Sequence, residues 1–91
     1  MAWNIELSPL AQKNLDQLDN TVAKRILKFL FERVAPLENP RSIGEPLTGL
    51  KLGDYWKYRV GDYRLITSIE DKKLEILVIK IGNRREVYKK S

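Results

Sequence analysis

Lys57, Arg59, Arg64 and Arg84, together with Tyr55 and Tyr88, are the residues of this chain whose types and spacing could do chemistry. Tyr55, Lys57 and Arg59 alternate with Trp56, Tyr58 and Val60, so a strand here puts the first three on one side and the apolar set on the other. Gly61-Asp62 is a turn dipeptide in reversed order that can close a tight hairpin and bring Arg64 across from Arg59. Arg84 follows Gly82 at the end of the last apolar stretch. Cations gathered at one sheet end repel one another, and a bound phosphate offsets that cost best. Taken singly, Lys57 and Arg59 read as ordinary solvated strand residues paired with Asp54, Asp62 or Glu70; taken as a cluster with the tyrosines, they fit work at a phosphodiester. Cleavage by a ribose 2′-hydroxyl needs in-line positioning, charge stabilisation on the phosphorane and proton transfers at both ends. Lysine, arginine and tyrosine can supply these without metal, because neighbouring cations pull a lysine or tyrosine toward neutrality and make it a usable base.

Other chemistries are excluded by composition. The chain has no histidine, which removes Ser-His-Asp triads and paired-histidine ribonuclease chemistry. It has no cysteine, so neither a disulfide scaffold nor a thiolate zinc site is available, as suits a reducing cytoplasm. The carboxylates are scattered among lysines and arginines and do not resemble a two-metal nuclease. Glycine-rich phosphate loops are absent too, so no cofactor and no metal are expected. The first residues have no basic region followed by a long apolar one, and no apolar run approaches the roughly twenty residues of a membrane span.

Seventeen Lys and Arg stand against twelve Asp and Glu, a net charge of +5. Residues 1–45 hold six of each sign, whereas residues 46–91 hold eleven basic against six acidic. The surplus lies wholly in the second half, which by charge alone fits either a polyanion binder or a lysine-rich solubility surface.

The elements that must position these residues follow from periodicity. Ninety-one residues make one domain, 1–91, and 43% hydrophobic content is enough for a thin core. Trp3, Ile5 and Leu7 alternate with Asn4 and Glu6 as in a half-buried strand. Ser8-Pro9 reads as a helix cap with proline at the first helical position, and Leu10, Ala11, Leu15 and Leu18 form the stripe of that helix. Asn20 or Thr21 can cap a second helix with Val22, Ile26, Leu27, Leu30 and Val34 on its apolar face, ended at Ala35-Pro36. Residues 36–50 are rich in proline and glycine and read as a loop without regular structure. Three strands follow, 55–60, 63–69 and 74–81, the last so continuously apolar that it reads as a central strand covered on both faces. Trp3 and Trp56 fall on apolar sides and read as core. The order β-α-α-β-β-β is that of an α+β protein with a helical hairpin on one face of a mainly antiparallel four-stranded sheet. The other face is left for work.

The stretch Leu50-Lys51-Leu52-Gly53-Asp54-Tyr55-Trp56-Lys57-Tyr58-Arg59-Val60-Gly61-Asp62-Tyr63-Arg64-Leu65-Ile66 resembles the signature of the RelE/ParE toxin superfamily. Ile81-Gly82-Asn83-Arg84-Arg85-Glu86-Val87-Tyr88 is similar to its C-terminal motif, and the opening Ile5-Glu6-Leu7-Ser8-Pro9-Leu10-Ala11 is similar as well. The resemblance implies a type II toxin that cleaves messenger RNA in the ribosomal A site and is neutralised by a cognate antitoxin. By motif position it implies Lys57, Arg64, Arg84 and Tyr88 as catalytic residues; Arg59 then reads as a backbone or ribosomal RNA contact, and Lys51, Tyr55 and Arg85 are expected to bind RNA beside it. Arg64 and Arg84 would hold the scissile phosphate, Arg84 also near the leaving oxygen. RelE-like members carry a second lysine two residues before the first, where this chain has Tyr55, so the base is open between Tyr55, Tyr88 and Lys57. Many relatives have histidine where Asn83 stands, and that group is not available here. Within the family the other branch poisons gyrase; outside it, the same basic face would serve a plain nucleic-acid-binding module.

Overall fold

A computed structural model of the chain describes residues 2–47 and 55–83. Strand β1 (Asn4–Leu7) buries Ile5 and exposes Asn4 and Glu6, as its alternation requires. At Ser8 the backbone stays extended and the side chain accepts from the Ala11 N–H at 3.0 Å, starting helix α1 (Pro9–Asp16). Pro9 sits where a missing N–H costs nothing. Ala11 and Leu15 are fully or nearly buried, but Leu10 is 47% exposed and does not join the stripe.

Helix α2 (Asn20–Lys28) is capped by Asp19, one residue before the expected Asn20 or Thr21, through a 3.3 Å bond from the Thr21 N–H. It continues as a π-helical turn, Phe29–Val34. Ile26, Leu30 and Val34 on its apolar face have no exposed surface. The stretch expected to be loop holds a 3₁₀ turn, Pro40–Ser42, and a two-residue strand β2 (Glu45–Pro46). Nothing in residues 45–46 alternates long enough to announce a strand; the pairing partner creates it.

Strands β3 (Tyr55–Val60), β4 (Tyr63–Glu70) and β5 (Glu75–Asn83) complete a five-stranded sheet of order β1-β5-β4-β3-β2. All neighbours are antiparallel except β1 and β5, which run parallel. The sheet thus has one strand more than the sequence suggests, and β4 is its middle strand. The helices cover one face. Their Ala11, Leu15, Ile26, Leu30 and Val34 form a single core with Ile5, Tyr58, Val60, Leu65, Ile69, Ile76, Val78 and Ile81. The apolar run of β5 is therefore buried on one face only: Ile76, Val78 and Ile81 lie in the core, while Leu77 and Ile79 are half-buried.

The spacing of those core residues breaks rank, since Val78 and Ile81 are three apart where a regular strand would bury 78 and 80. The ladder slips here: Thr67 is opposite Val78 and Ile66 opposite Lys80, so Ile79 is the extra residue of a β-bulge. Helix α1 and its cap hold the bulge. The Ser8 N–H donates to the Val78 carbonyl at 2.9 Å and the Ser8 hydroxyl to the Ile79 carbonyl at 2.7 Å. Successive carbonyls of a regular strand point to opposite edges, so two of them on one serine mark the irregularity. Asn14 Oδ1 then accepts from the Ile81 N–H at 3.0 Å. Ser8→Ala removes the helix cap and one carbonyl's partner together, and is expected to cost about 2 kcal/mol. Thermal unfolding should register it as a fall of roughly 10 °C, with Ser8→Thr largely unchanged.

Candidate nucleic-acid interface

Register decides which side chains share the uncovered face. Arg59 is directly opposite Arg64, Lys57 opposite Ile66, and Tyr55 opposite Ser68. The next strand extends these rows, placing Gly82 beside Arg64, Lys80 beside Ile66 and Leu77 beside Ser68. Four of the expected site residues are therefore brought together: Tyr55, Lys57 and Arg59 on β3 and Arg64 on β4. Lys51, Arg84, Arg85 and Tyr88 lie outside the described residues. Strand β5 ends at Asn83, opposite Tyr63, at the basic end of the face. At the other end Glu6, Glu70 and Glu75 fall on this face, so it is basic toward the β3–β4 turn and acidic away from it.

Each cation is held differently. Lys57 Nζ is 3.1 Å from Glu45 Oε1, so β2 supplies the carboxylate that steadies it. Arg64 folds its guanidinium over the turn, where Nη1 donates to the Gly61 and Tyr63 carbonyls, each at 3.1 Å. Those two bonds orient the guanidinium while Nη2 and Nε keep donors for a ligand. Arg59 is exposed. Two arginines directly opposite each other destabilise an antiparallel pair.

Tyr58 is not part of this group. It is fully buried on the core face, its hydroxyl donating to the Pro40 carbonyl at 2.5 Å and its ring meeting Phe29 edge-on at 6.0 Å. Burial pushes the hydroxyl far above the ordinary tyrosine range, with the Arg41 charge opposing weakly. Trp56 is partly buried against the core, and its indole N–H donates to the Ile43 carbonyl at 2.8 Å. The 3₁₀ turn that carries Pro40 is tied to the β4–β5 turn by a bidentate pair, Arg41 Nη1 and Nη2 to Asp71 at 2.9 and 3.0 Å. Through its hydrogen bonds, that guanidinium holds the Asp71 carboxyl below its usual range.

Beyond Lys57, where pairing with β2 stops, a cleft of about 390 Å³ opens between Lys57, Arg59 and Gly44 on the sheet side and Phe29 and Arg33 on the helix side. A second cleft of about 330 Å³ shares Phe29, Arg33 and Arg59 and adds Arg25 and Lys28, with one carboxylate, Glu32, among them. The Arg25 guanidinium lies against Gly61 in the β3–β4 turn. Sequence reasoning missed these helix cations because it weighed charge by halves of the chain, and residues 1–45 are balanced. It also missed Lys80, for which the apolar run Ile76-Leu77-Val78-Ile79 gave no signal, because the bulge is visible only in the pairing of β4 with β5. Among the described residues no group of three or more carboxylates is placed to hold a metal ion. No helix among them is long and apolar enough to cross a membrane.

A helical hairpin on one face of a mixed five-stranded sheet, with a basic open face, defines the class of small RelE-like α+β proteins. The chain belongs to the family of the ParE toxin of the type II toxin–antitoxin system parDE, which it matches over residues 5–88. It is 33% identical over 90 residues to the mRNA interferase toxin RelE of Escherichia coli K12, covering 97% of this chain and 92% of that one. Its structure is similar to a chain of the E. coli RelBE toxin–antitoxin complex, with a TM-score of 0.72 and 28% identity over 90% of this chain and 96% of that one. It is also similar to one in the RelBE2 toxin–antitoxin complex of Mycobacterium tuberculosis, with a TM-score of 0.83 and 21% identity over 94% and 95%. This is a RelE/ParE superfamily toxin.

Proposed function

We propose that this toxin is a ribosome-dependent, metal-independent endoribonuclease that cleaves messenger RNA in the A site by attack of the ribose 2′-hydroxyl. The observation that carries the reading is the direct opposition of Arg59 and Arg64, with Lys57 one row below, on the face the helices leave open. Such a juxtaposition costs stability in the free protein and is repaid when a phosphate lies between the cations. The relative named as an mRNA interferase spans nearly the whole chain, which supports the same chemistry here. Arg64 and Arg84 bind the scissile phosphate, Arg59, Lys51 and Arg85 follow the backbone, and the base comes from Tyr55, Tyr88 or Lys57. Control falls to a cognate antitoxin, an acidic or amphipathic segment that folds onto this basic domain in the cytoplasm. The similarity to chains of toxin–antitoxin complexes supports that partner.

Primer extension on a translated messenger, with and without ribosomes, is the direct test. Cleavage is expected within A-site codons and only with ribosomes. It should persist when chelator is added after ribosomes are fixed by crosslinking, because the chain has no histidine and, among the described residues, no group of carboxylates is placed to hold a catalytic ion. Growth arrest without messenger cleavage, accompanied by inhibition of gyrase supercoiling, would move the chain to the gyrase-directed branch.

A further inference from the structure

We infer that Lys80 is an additional phosphate-binding residue, aimed onto the RNA face by the bulge at Ile79; the inference rests on the nucleic-acid reading of that face. In a regular β5, with Val78 in the core, residue 80 would point into the core as well. The extra residue reverses that, and Lys80 pairs across the ladder with Ile66, which in turn pairs with Lys57. Lys57 and Lys80 thus flank Ile66 on one row, about two strand spacings or ~10 Å apart at Cα. Ile66 is only 7% exposed yet stands outside the core formed with the helices, so its cover lies on this face. The methylene stems of two lysines can run along it while the ammonium groups stay in solvent.

Three features separate this from a lysine that merely happens to face water. The bulge is built rather than tolerated, since the Ser8 hydroxyl and the Asn14 amide oxygen each satisfy a backbone group that it turns outward. Bulges recur beside active sites for this purpose, to re-aim one side chain. Second, no carboxylate among the described residues pairs with Lys80, whereas Lys57 in the same row has Glu45. Third, the row above holds Arg59 and Arg64, so Lys80 widens the cationic patch from β3 and β4 onto β5. One strand residue pair rises about 6.6 Å, close to the phosphate spacing of extended RNA, so the two rows suit neighbouring phosphates. Lys80 is thereby a contact to the phosphate beside the scissile one.

The test uses the intact protein and ribosomes programmed with a messenger whose A-site riboses are 2′-O-methylated, so that binding is read without cleavage. Lys80→Met keeps the stem over Ile66 and removes only the charge. It should melt with the parent, bind about three- to tenfold more weakly, and flatten the slope of log affinity against log salt by about 0.7, one single-strand phosphate contact. Lys80→Arg should restore both. On unmodified messenger at saturating protein the cleavage rate of Lys80→Met should stay near the parent's, with the loss confined to half-saturation. A parent that binds but never cleaves, with the slope still flattened in Lys80→Met, sustains the phosphate contact and removes the ribonuclease reading alone. An unchanged slope in Lys80→Met overturns the inference, as does failure of the parent to bind the programmed ribosome.

Discussion

Arg64→Ala is expected to lower the single-turnover rate of messenger cleavage at saturating toxin by about 10²–10³, the range seen when one preorganised donor to a transition-state oxyanion is removed. The reason lies in how the guanidinium is held. Nη1 is fixed by the Gly61 and Tyr63 carbonyls, which leaves the other edge of the fork to meet phosphate without reorganisation. Arg64→Lys keeps the charge but cannot make the turn contacts and the phosphate contact together, so it should recover only part of the rate. Arg59→Ala, by contrast, should weaken ribosome binding and its salt dependence more than the chemical step. Melting curves separate chemistry from folding, since the lost turn contacts, one exposed and one part-buried, should cost no more than about 1 kcal/mol. If Arg64→Ala cleaves at the parent rate under saturation, the arginine is a docking group and phosphate stabilisation must come from elsewhere in the chain.

Gly44→Ala should do the most damage to the fold itself. Gly44 has a φ of +80°, and a Cβ placed there would lie 2.5 Å from the Lys57 carbonyl and 2.7 Å from the Trp56 indole nitrogen. Backbone oxygen cannot yield as a flexible side chain does, so β2 must be pushed off β3. The expected cost is about 3–5 kcal/mol, a loss on the order of 15–25 °C in melting temperature or failure to fold at all. Because Glu45 sits on β2, the same displacement takes the carboxylate away from Lys57. Glu45→Gln isolates that second effect, because it removes the ion pair and leaves the glycine turn intact. A Gly44→Ala protein with parent stability would show that the loop before β2 is soft enough to move aside.

The sequence by itself determined the class of this protein. Periodicity in 22–34 and alternation in 55–60 are local properties, and they put Ile26, Leu30 and Val34 on one apolar face and Tyr58 and Val60 on another, the faces that meet in the core. The face shared by Tyr55, Lys57 and Arg59 was legible for the same reason, and so was the Gly61-Asp62 turn that sets Arg64 opposite Arg59. Four of the eight site residues inferred from the sequence could be placed in this way, and Lys51, Arg84, Arg85 and Tyr88 lie outside the described residues.

Tertiary structure alone decided three things. Strand β2 exists because two residues after Gly44 meet the edge of β3, a contact that no two-residue pattern can encode. The cations of α2 and the π-helical turn belong to the β3 end of the site because the helix crosses that edge, although their own half of the chain is electrically balanced. Lys80 faces the basic patch because Ser8 and Asn14, 71 and 67 residues from their partners, hold a bulge in β5. Period-two alternation tells which side a residue faces only while the ladder stays in register. One inserted residue inverts it, and what stabilises the insertion is supplied by side chains from the other end of the sequence.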